Sequence, residues 1–119
     1  MAHASTMNTQ MRECIQACLE CYAVCLETVQ HCLTLGGRHA GPDHISLLSS
    51  CARICETSAS VMLLGSDQHT VTCAACAEIC RACADDCRGM ADGDELMLAC
   101  ADTCQRCAES CEQMAGVRS

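Results

Sequence analysis

Phenylalanine and tryptophan are absent from this chain, and Tyr22 is its one tyrosine. The aromatic bulk that dominates most cores is therefore missing, and the interior is built from something else. Basic residues are few, 7 against 15 acidic ones, for a net charge of -8. Phosphate binding needs clusters of Lys and Arg, so nucleic acid is excluded as a partner. An anionic membrane surface is excluded on the same ground. No run is long and apolar enough to span a bilayer. The opening MAHASTMNTQ lacks the basic n-region and apolar stretch of a secretory signal. No stretch alternates with period two for long enough to read as a strand.

What the chain has is cysteine, 16 of its 119 residues. Free cysteine packs as a small hydrophobe, so thiols can replace part of the missing bulk. Sixteen thiols without a signal point to a reducing cytoplasm, where cysteines bind metal more often than they form disulfides. Three stretches share the spacing C-x3-C-x2-C-x3-C: Cys14-Cys18-Cys21-Cys25, Cys76-Cys80-Cys83-Cys87 and Cys100-Cys104-Cys107-Cys111. A fourth begins it with Cys51 and Cys55, then has Ser58 and Met62 where the next cysteines would fall. Steps of four and three join neighbours on one helix face. At about 100° per residue, Cys14, Cys18, Cys21, Cys25 and Cys32 share an arc of roughly 60°. Cys73 extends the third stripe in the same way. So narrow an arc is the inward seam of a bundle.

Glycine and proline mark the helix ends. The first helix is predicted from about Asn8 to Leu35, ending at Gly36-Gly37. Pro42 reads as a first-turn proline of the second, with Gly41 or Asp43 at its cap and Gly65 as its stop. Ser66 or Asp67 is expected to cap the third, which runs to about Met90. Asp92 with Glu95 resembles a capping box for the fourth, which ends near Ala115-Gly116. Four helices and three short connections predict one all-α domain over residues 1–119: an up-down-up-down antiparallel four-helix bundle with a cysteine-lined lumen. Residues 1–6 are expected to form a disordered tail.

Several chemistries suit a sulfur interior. Cysteines four apart on one helix are poorly placed for a disulfide, although bridges between helices are possible. The run Cys73-x2-Cys76-x3-Cys80-x2-Cys83 differs from the bacterial ferredoxin pattern in spacing and lacks its proline. Cys73-Ala-Ala-Cys76 and Cys80-Arg-Ala-Cys83 lack the βαβ setting of a thioredoxin motif. Thiolates select Cu(I), zinc or iron–sulfur clusters. Charge separates these ions, since sixteen thiolates would bury about -16. About four zinc ions, each held by four thiolates, would leave about -8 in the interior. Monovalent copper at about one ion per thiolate brings the lumen near neutrality.

With these residues in view, the chain resembles the bacterial copper storage proteins, and their cytosolic branch in particular. The resemblance rests on the three full stripes, the sparser fourth and the lack of a twin-arginine leader, and covers Met11 to Met114. It implies a bundle whose lumen holds many Cu(I) ions on cysteine thiolates, a homotetramer, and a role in copper storage. The expected ligands are the sixteen cysteines, including Cys32, Cys51, Cys55 and Cys73. The chain departs from a fully populated pattern at Thr28, Ser58 and Met62. A copper chaperone or a small-molecule thiol is the expected donor.

Alternating helix directions sort the remaining soft ligands into two ends. One end collects Met7, Met11, Met62, His69 and Met114, and is read as the entry port, with Met62, His69 and Met114 as further ligands. The other reaches Leu35, Leu48, Met90 and Met97, with His39 and His44 in the nearby loop. His31 lies off the stripe and is assigned to the surface or an interface. Asp85-Asp86 is expected to face water. A second apolar strip on the first helix, Ile15, Leu19, Tyr22, Leu26, Val29 and Leu33, suggests packing against a neighbour, either another helix or another subunit. No Ser/His/Asp constellation, catalytic carboxylate pair or phosphate loop is present, so no enzymatic activity is expected. The alternatives are a zinc or cadmium detoxification protein and a thiol redox buffer.

Overall fold

The computed structural model describes residues 8–116, which form four long helices. They are α1 (Thr9–Leu35), α2 (Pro42–Leu63), α3 (His69–Met90) and α4 (Glu95–Ala115), with a short 3-10 turn at Gly37–Ala40. Each helix packs on its chain neighbours, and α1 also packs on α4, closing a four-membered ring around one lumen. The molecule measures 50 × 19 × 18 Å, about the length of the 27-residue α1 plus its turns. The tail expected at 1–6, and Met7 with it, lie outside the described residues.

Local chemistry sets the helix ends. Asn8 caps α1 by accepting the Met11 N–H at 2.8 Å. Gly41 precedes α2, and Pro42 fills the first helical position, where its missing N–H is no loss. α2 ends in a Schellman motif. Ser66 N–H reaches the Val61 carbonyl and Gly65 N–H the Met62 carbonyl, with Gly65 at φ 71°. At the start of α3, the Ser66 hydroxyl accepts the Gln68 N–H and the Ser66 carbonyl accepts the His69 N–H.

The α4 cap differs from the expected one. Asp94 fills the cap position and accepts the Met97 N–H at 3.0 Å. Asp92 instead adopts φ 47°, followed by Gly93 at φ 84°. Together they form a tight turn closed by Asp94 N–H on the Ala91 carbonyl at 2.8 Å. Two successive positive φ angles suit an Asp-Gly pair. The Asp94 carboxyl is held below its ordinary 3.8 by the Met97 N–H and then by His31.

Candidate metal centre

All sixteen cysteines have zero solvent exposure and all are free thiols. The 3.6-residue period makes this possible, since every cysteine lies on its helix's inward seam. The intervening seam positions hold Ala52, Ala59, Ala84, Ala101 and Ala108, whose small side chains let the helices approach.

The sulfurs meet across helices in successive layers. Near the first turns of α1, Cys14 and Cys18 each lie 3.6 Å from Cys111. Cys18 is 3.7 Å from Cys107. One step further, Cys21 is 3.6 Å from Cys104 and 3.8 Å from Cys51. Cys25 lies 3.7 Å from Cys104 and 4.0 Å from Cys100. On the opposite side, Cys55 is 3.5 Å from Cys80 and 3.7 Å from Cys76. Cys51 is 3.6 Å from Cys80. These separations exceed a disulfide bond by about 1.5 Å or more, so the sulfurs are unbridged yet close enough for neighbouring thiols to share an ion after small side-chain shifts.

Four sets of four thiols bring their sulfurs within 4.8 Å of one another: Cys18/Cys76/Cys107/Cys111, Cys21/Cys25/Cys51/Cys104, Cys21/Cys51/Cys55/Cys80 and Cys55/Cys76/Cys80/Cys107. A triplet, Cys14/Cys73/Cys111, lies at the methionine end. The sets share Cys21, Cys51, Cys55, Cys76, Cys80, Cys107 and Cys111, so they form one connected sulfur seam rather than separate cages. Cys83, Cys87 and Cys100 line the same seam, buried toward the other end.

Such crowding drives the titration of the thiols apart: hydrogen bonding with neighbouring thiols holds Cys21, Cys51, Cys76, Cys100 and Cys107 below the ordinary range, while others are held above it. Cys25 and Cys55 are held far above the ordinary thiol range by hydrogen bonding with neighbouring thiols, led by Cys100 and Cys107 respectively, with burial adding to it. Burial pushes the Cys32 thiol up to about 11, with Asp94, Cys100 and Asp86 acting in the same direction. A cation entering the lumen therefore displaces protons from the thiols that bind it.

At the first end, Met62, His69 and Met114 are fully or almost fully buried, and Met11 is nearly so. The Met62 thioether accepts from the Cys73 thiol at 3.8 Å. Ser58, in the place of a missing cysteine, keeps its hydroxyl 3.3 Å from Cys73. His69 Nδ1 hydrogen bonds to the Ser66 carbonyl at 2.9 Å. These side chains thus lie at the end of the sulfur column, packed against Cys73 and the start of α3. Thr28, the third departure from the stripe, turns its hydroxyl onto its own helix, donating to the Val24 carbonyl at 2.7 Å.

The second end departs further from expectation. His44 lies in the first turn of α2, not in the loop, and is only 4 % exposed. Its Nε2 is 3.3 Å from the Cys32 sulfur, and its Nδ1 is 2.5 Å from the Asp86 carboxylate. Asp86 is thus half-buried and paired rather than hydrated, while Asp85 is exposed. His31 pairs with Asp94 at 2.8 Å and is about one-third exposed, which matches its surface assignment. His39 Nε2 meets the Met90 carbonyl at 3.1 Å.

A buried column of free thiols on four helices defines a class: helical bundles with a sulfur interior for soft metal ions. A sequence model of the copper storage proteins matches residues 7–116, and the chain belongs to that family. A protein of Nitrosospira multiformis solved by crystallography is 44 % identical, with a TM-score of 0.85 over 92 % of this chain and 97 % of that one. The Cu(I)-bound copper storage protein BsCsp3 is 33 % identical, with a TM-score of 0.83 over 91 % and 100 %. A cytosolic copper storage protein from Streptomyces lividans, solved with five coppers, is 28 % identical, with a TM-score of 0.79 over 92 % and 95 %. No curated protein sequence matches the chain.

Proposed function

We propose that this protein stores Cu(I) on its lumenal thiolates, at roughly one ion per cysteine. The connected sulfur seam carries this reading. Isolated tetrahedral cages would suit zinc, whereas overlapping sets of thiols suit many ions of low coordination number. Each Cu(I) that replaces a thiol proton leaves that position's net charge unchanged, so a full lumen stays near neutrality. The ligand form is the thiolate, and several of these thiols, Cys25, Cys32 and Cys55 among them, are held above the ordinary thiol range. Copper binding therefore tightens as pH rises and loosens as it falls.

The proposed ligands are the sixteen cysteines. Met62, His69 and Met114 serve as softer, more labile donors where copper passes the first end. The 3.8 Å approach of Met62 to Cys73 supports this placement. Storage in the cytoplasm is supported by the cytosolic relative from Streptomyces lividans and by the reducing conditions that sixteen free thiols require. No helix among the described residues is long and apolar enough to cross a membrane. Association with a further subunit is supported by the α1 strip, where Leu19, Leu26 and Leu33 are 38–49 % exposed, and the family resemblance makes a homotetramer its form. A chaperone or small-molecule thiol would deliver the ion.

X-ray absorption at the copper edge of the loaded protein tests the ligand set. The expected first shell is two or three sulfurs with short copper–copper distances. A shell dominated by nitrogen or oxygen would contradict the proposal.

A further inference from the structure

We propose that Cys14 and Cys111 are an oxidation site: hydrogen peroxide entering the lumen at the methionine end joins them in a disulfide that closes that end to copper. The consequence for copper rests on the storage reading, whereas the disulfide itself does not.

α1 and α4 face each other in a constant antiparallel register. Cys14 lies opposite Cys111 at 3.6 Å, Cys18 opposite Cys107 at 3.7 Å, Cys21 opposite Cys104 at 3.6 Å and Cys25 opposite Cys100 at 4.0 Å. Each rung joins two different helices, so it escapes the poor S–S torsion of thiols four apart on one helix, and an approach of about 1.5 Å brings it to bonding distance. α2 and α3 hold a second ladder, Cys51 opposite Cys80 at 3.6 Å and Cys55 opposite Cys76 at 3.7 Å. Its next rung toward the methionines sets Ser58 opposite Cys73 at 3.3 Å, and a hydroxyl forms no disulfide. Cys14, Cys73 and Cys111 gather their sulfurs at that end. Cys73 is engaged by the Ser58 hydroxyl and the Met62 thioether, which leaves Cys14 and Cys111 as the outermost facing pair of thiols.

Position decides which rung reacts first. Cys14 is the first thiol of α1 and Cys111 the last of α4, so an oxidant passing this end meets them before the deeper rungs. All the thiols are buried, which selects a small neutral oxidant. The Cys14 sulfur attacks one peroxide oxygen: an S–O bond forms, the O–O bond breaks, and the departing hydroxide takes the thiol proton to become water. Cys111 then attacks the sulfenic sulfur: the S–S bond forms, the S–O bond breaks, and the second hydroxide leaves with the Cys111 proton as a second water. The two thiols lose two electrons and the peroxide gains them. A thiol reductant reverses the link by exchange. The bond ties residues 97 apart in the chain and pins the start of α1 to the finish of α4. One helical step further out, the same register sets Met11 opposite Met114, both buried, with Gln10 donating to Gln113 at 2.8 Å beside them. These turns must part for an ion to pass, and the disulfide holds them together.

The test treats the full, reduced, metal-free chain with one equivalent of hydrogen peroxide and quenches it by alkylation. Peptide mass mapping is expected to find Cys14 linked to Cys111, with the free-thiol count down by two from 16. Loaded with Cu(I) from a competing chelator, the treated chain binds two fewer ions, and its initial uptake rate falls severalfold, out of proportion to the ligands lost. Dithiothreitol restores both. Cys111→Ser, compared with its own untreated form, keeps its rate after peroxide. A link mapped to a deeper pair, thiols left unmodified, or a treated wild type that loads at the untreated rate overturns the proposal. The wild-type map and rate decide the matter even where the variant fails to fold. Failure of the storage reading is separate: the untreated wild type would then saturate at a handful of ions, with the Cys14–Cys111 link still formed.

Discussion

Ser58 stands where the α2 stripe calls for a third cysteine. Its hydroxyl lies 3.3 Å from the Cys73 sulfur and is fully buried. A thiol there would face Cys73 as Cys55 faces Cys76 and Cys80. Ser58→Cys is therefore expected to raise copper capacity by about one ion per chain without loss of helicity, as counted by metal analysis after gel filtration. An unchanged count would mean that position 58 lies outside the metal-binding seam. The same stripe logic made all sixteen cysteines readable as a seam but misplaced one residue beside it. His44 sits seven residues before Cys51 and four before Leu48, on the inward face by the same steps. It was expected in the loop although Pro42, two residues earlier, already reads as a first-turn helical residue, and the helix does start there. Asp86 escapes for a different reason. Its neighbour Cys87 faces inward, so period alone sends Asp86 outward, and only the reach of His44 from α2 brings it into a pair.

The helices themselves follow from spacing and punctuation, and their bounds fall within about two residues of expectation. The α4 cap is the informative miss. Asp92 and Asp94 both look like caps in sequence, and the choice between them depends on backbone handedness. Asp92 takes positive φ in the turn, which leaves Asp94 to accept the first free N–H. That cap makes stability depend on pH. Asp94 titrates below its ordinary 3.8 in the folded chain, so its contribution is full above that value and fades as pH falls through the lower folded value. Asparagine caps a helix about as well as aspartate but carries no charge. Asp94→Asn is expected to lose up to about 1 kcal/mol at pH 7, with the gap to wild type closing toward pH 3. Thermal unfolding of both proteins across that range measures it. A gap that stays constant with pH would show that the Asp94 charge does not contribute.

At the scale of the whole molecule, a chain without Phe or Trp closes a 50 Å bundle around sulfur and alanine. The lumen takes the place of an aliphatic core, and this ties stability to cargo: ions that bind the folded bundle more tightly than the unfolded chain stabilise it. The bundle was legible because seam and fold are one pattern, each cysteine stripe naming both a helix and its inward face. The assembly was less legible, since Leu19, Leu26 and Leu33 mark an exposed apolar strip without naming what covers it. The layering of sulfurs was not legible at all, because the vertical register of one helix against another is set by side-chain packing and turn length. Anaerobic titration of the reduced, metal-free protein with Cu(I) against a competing chelator tests the central claim most directly. The account predicts saturation near the cysteine number, 16, per chain; saturation at four or fewer would contradict it.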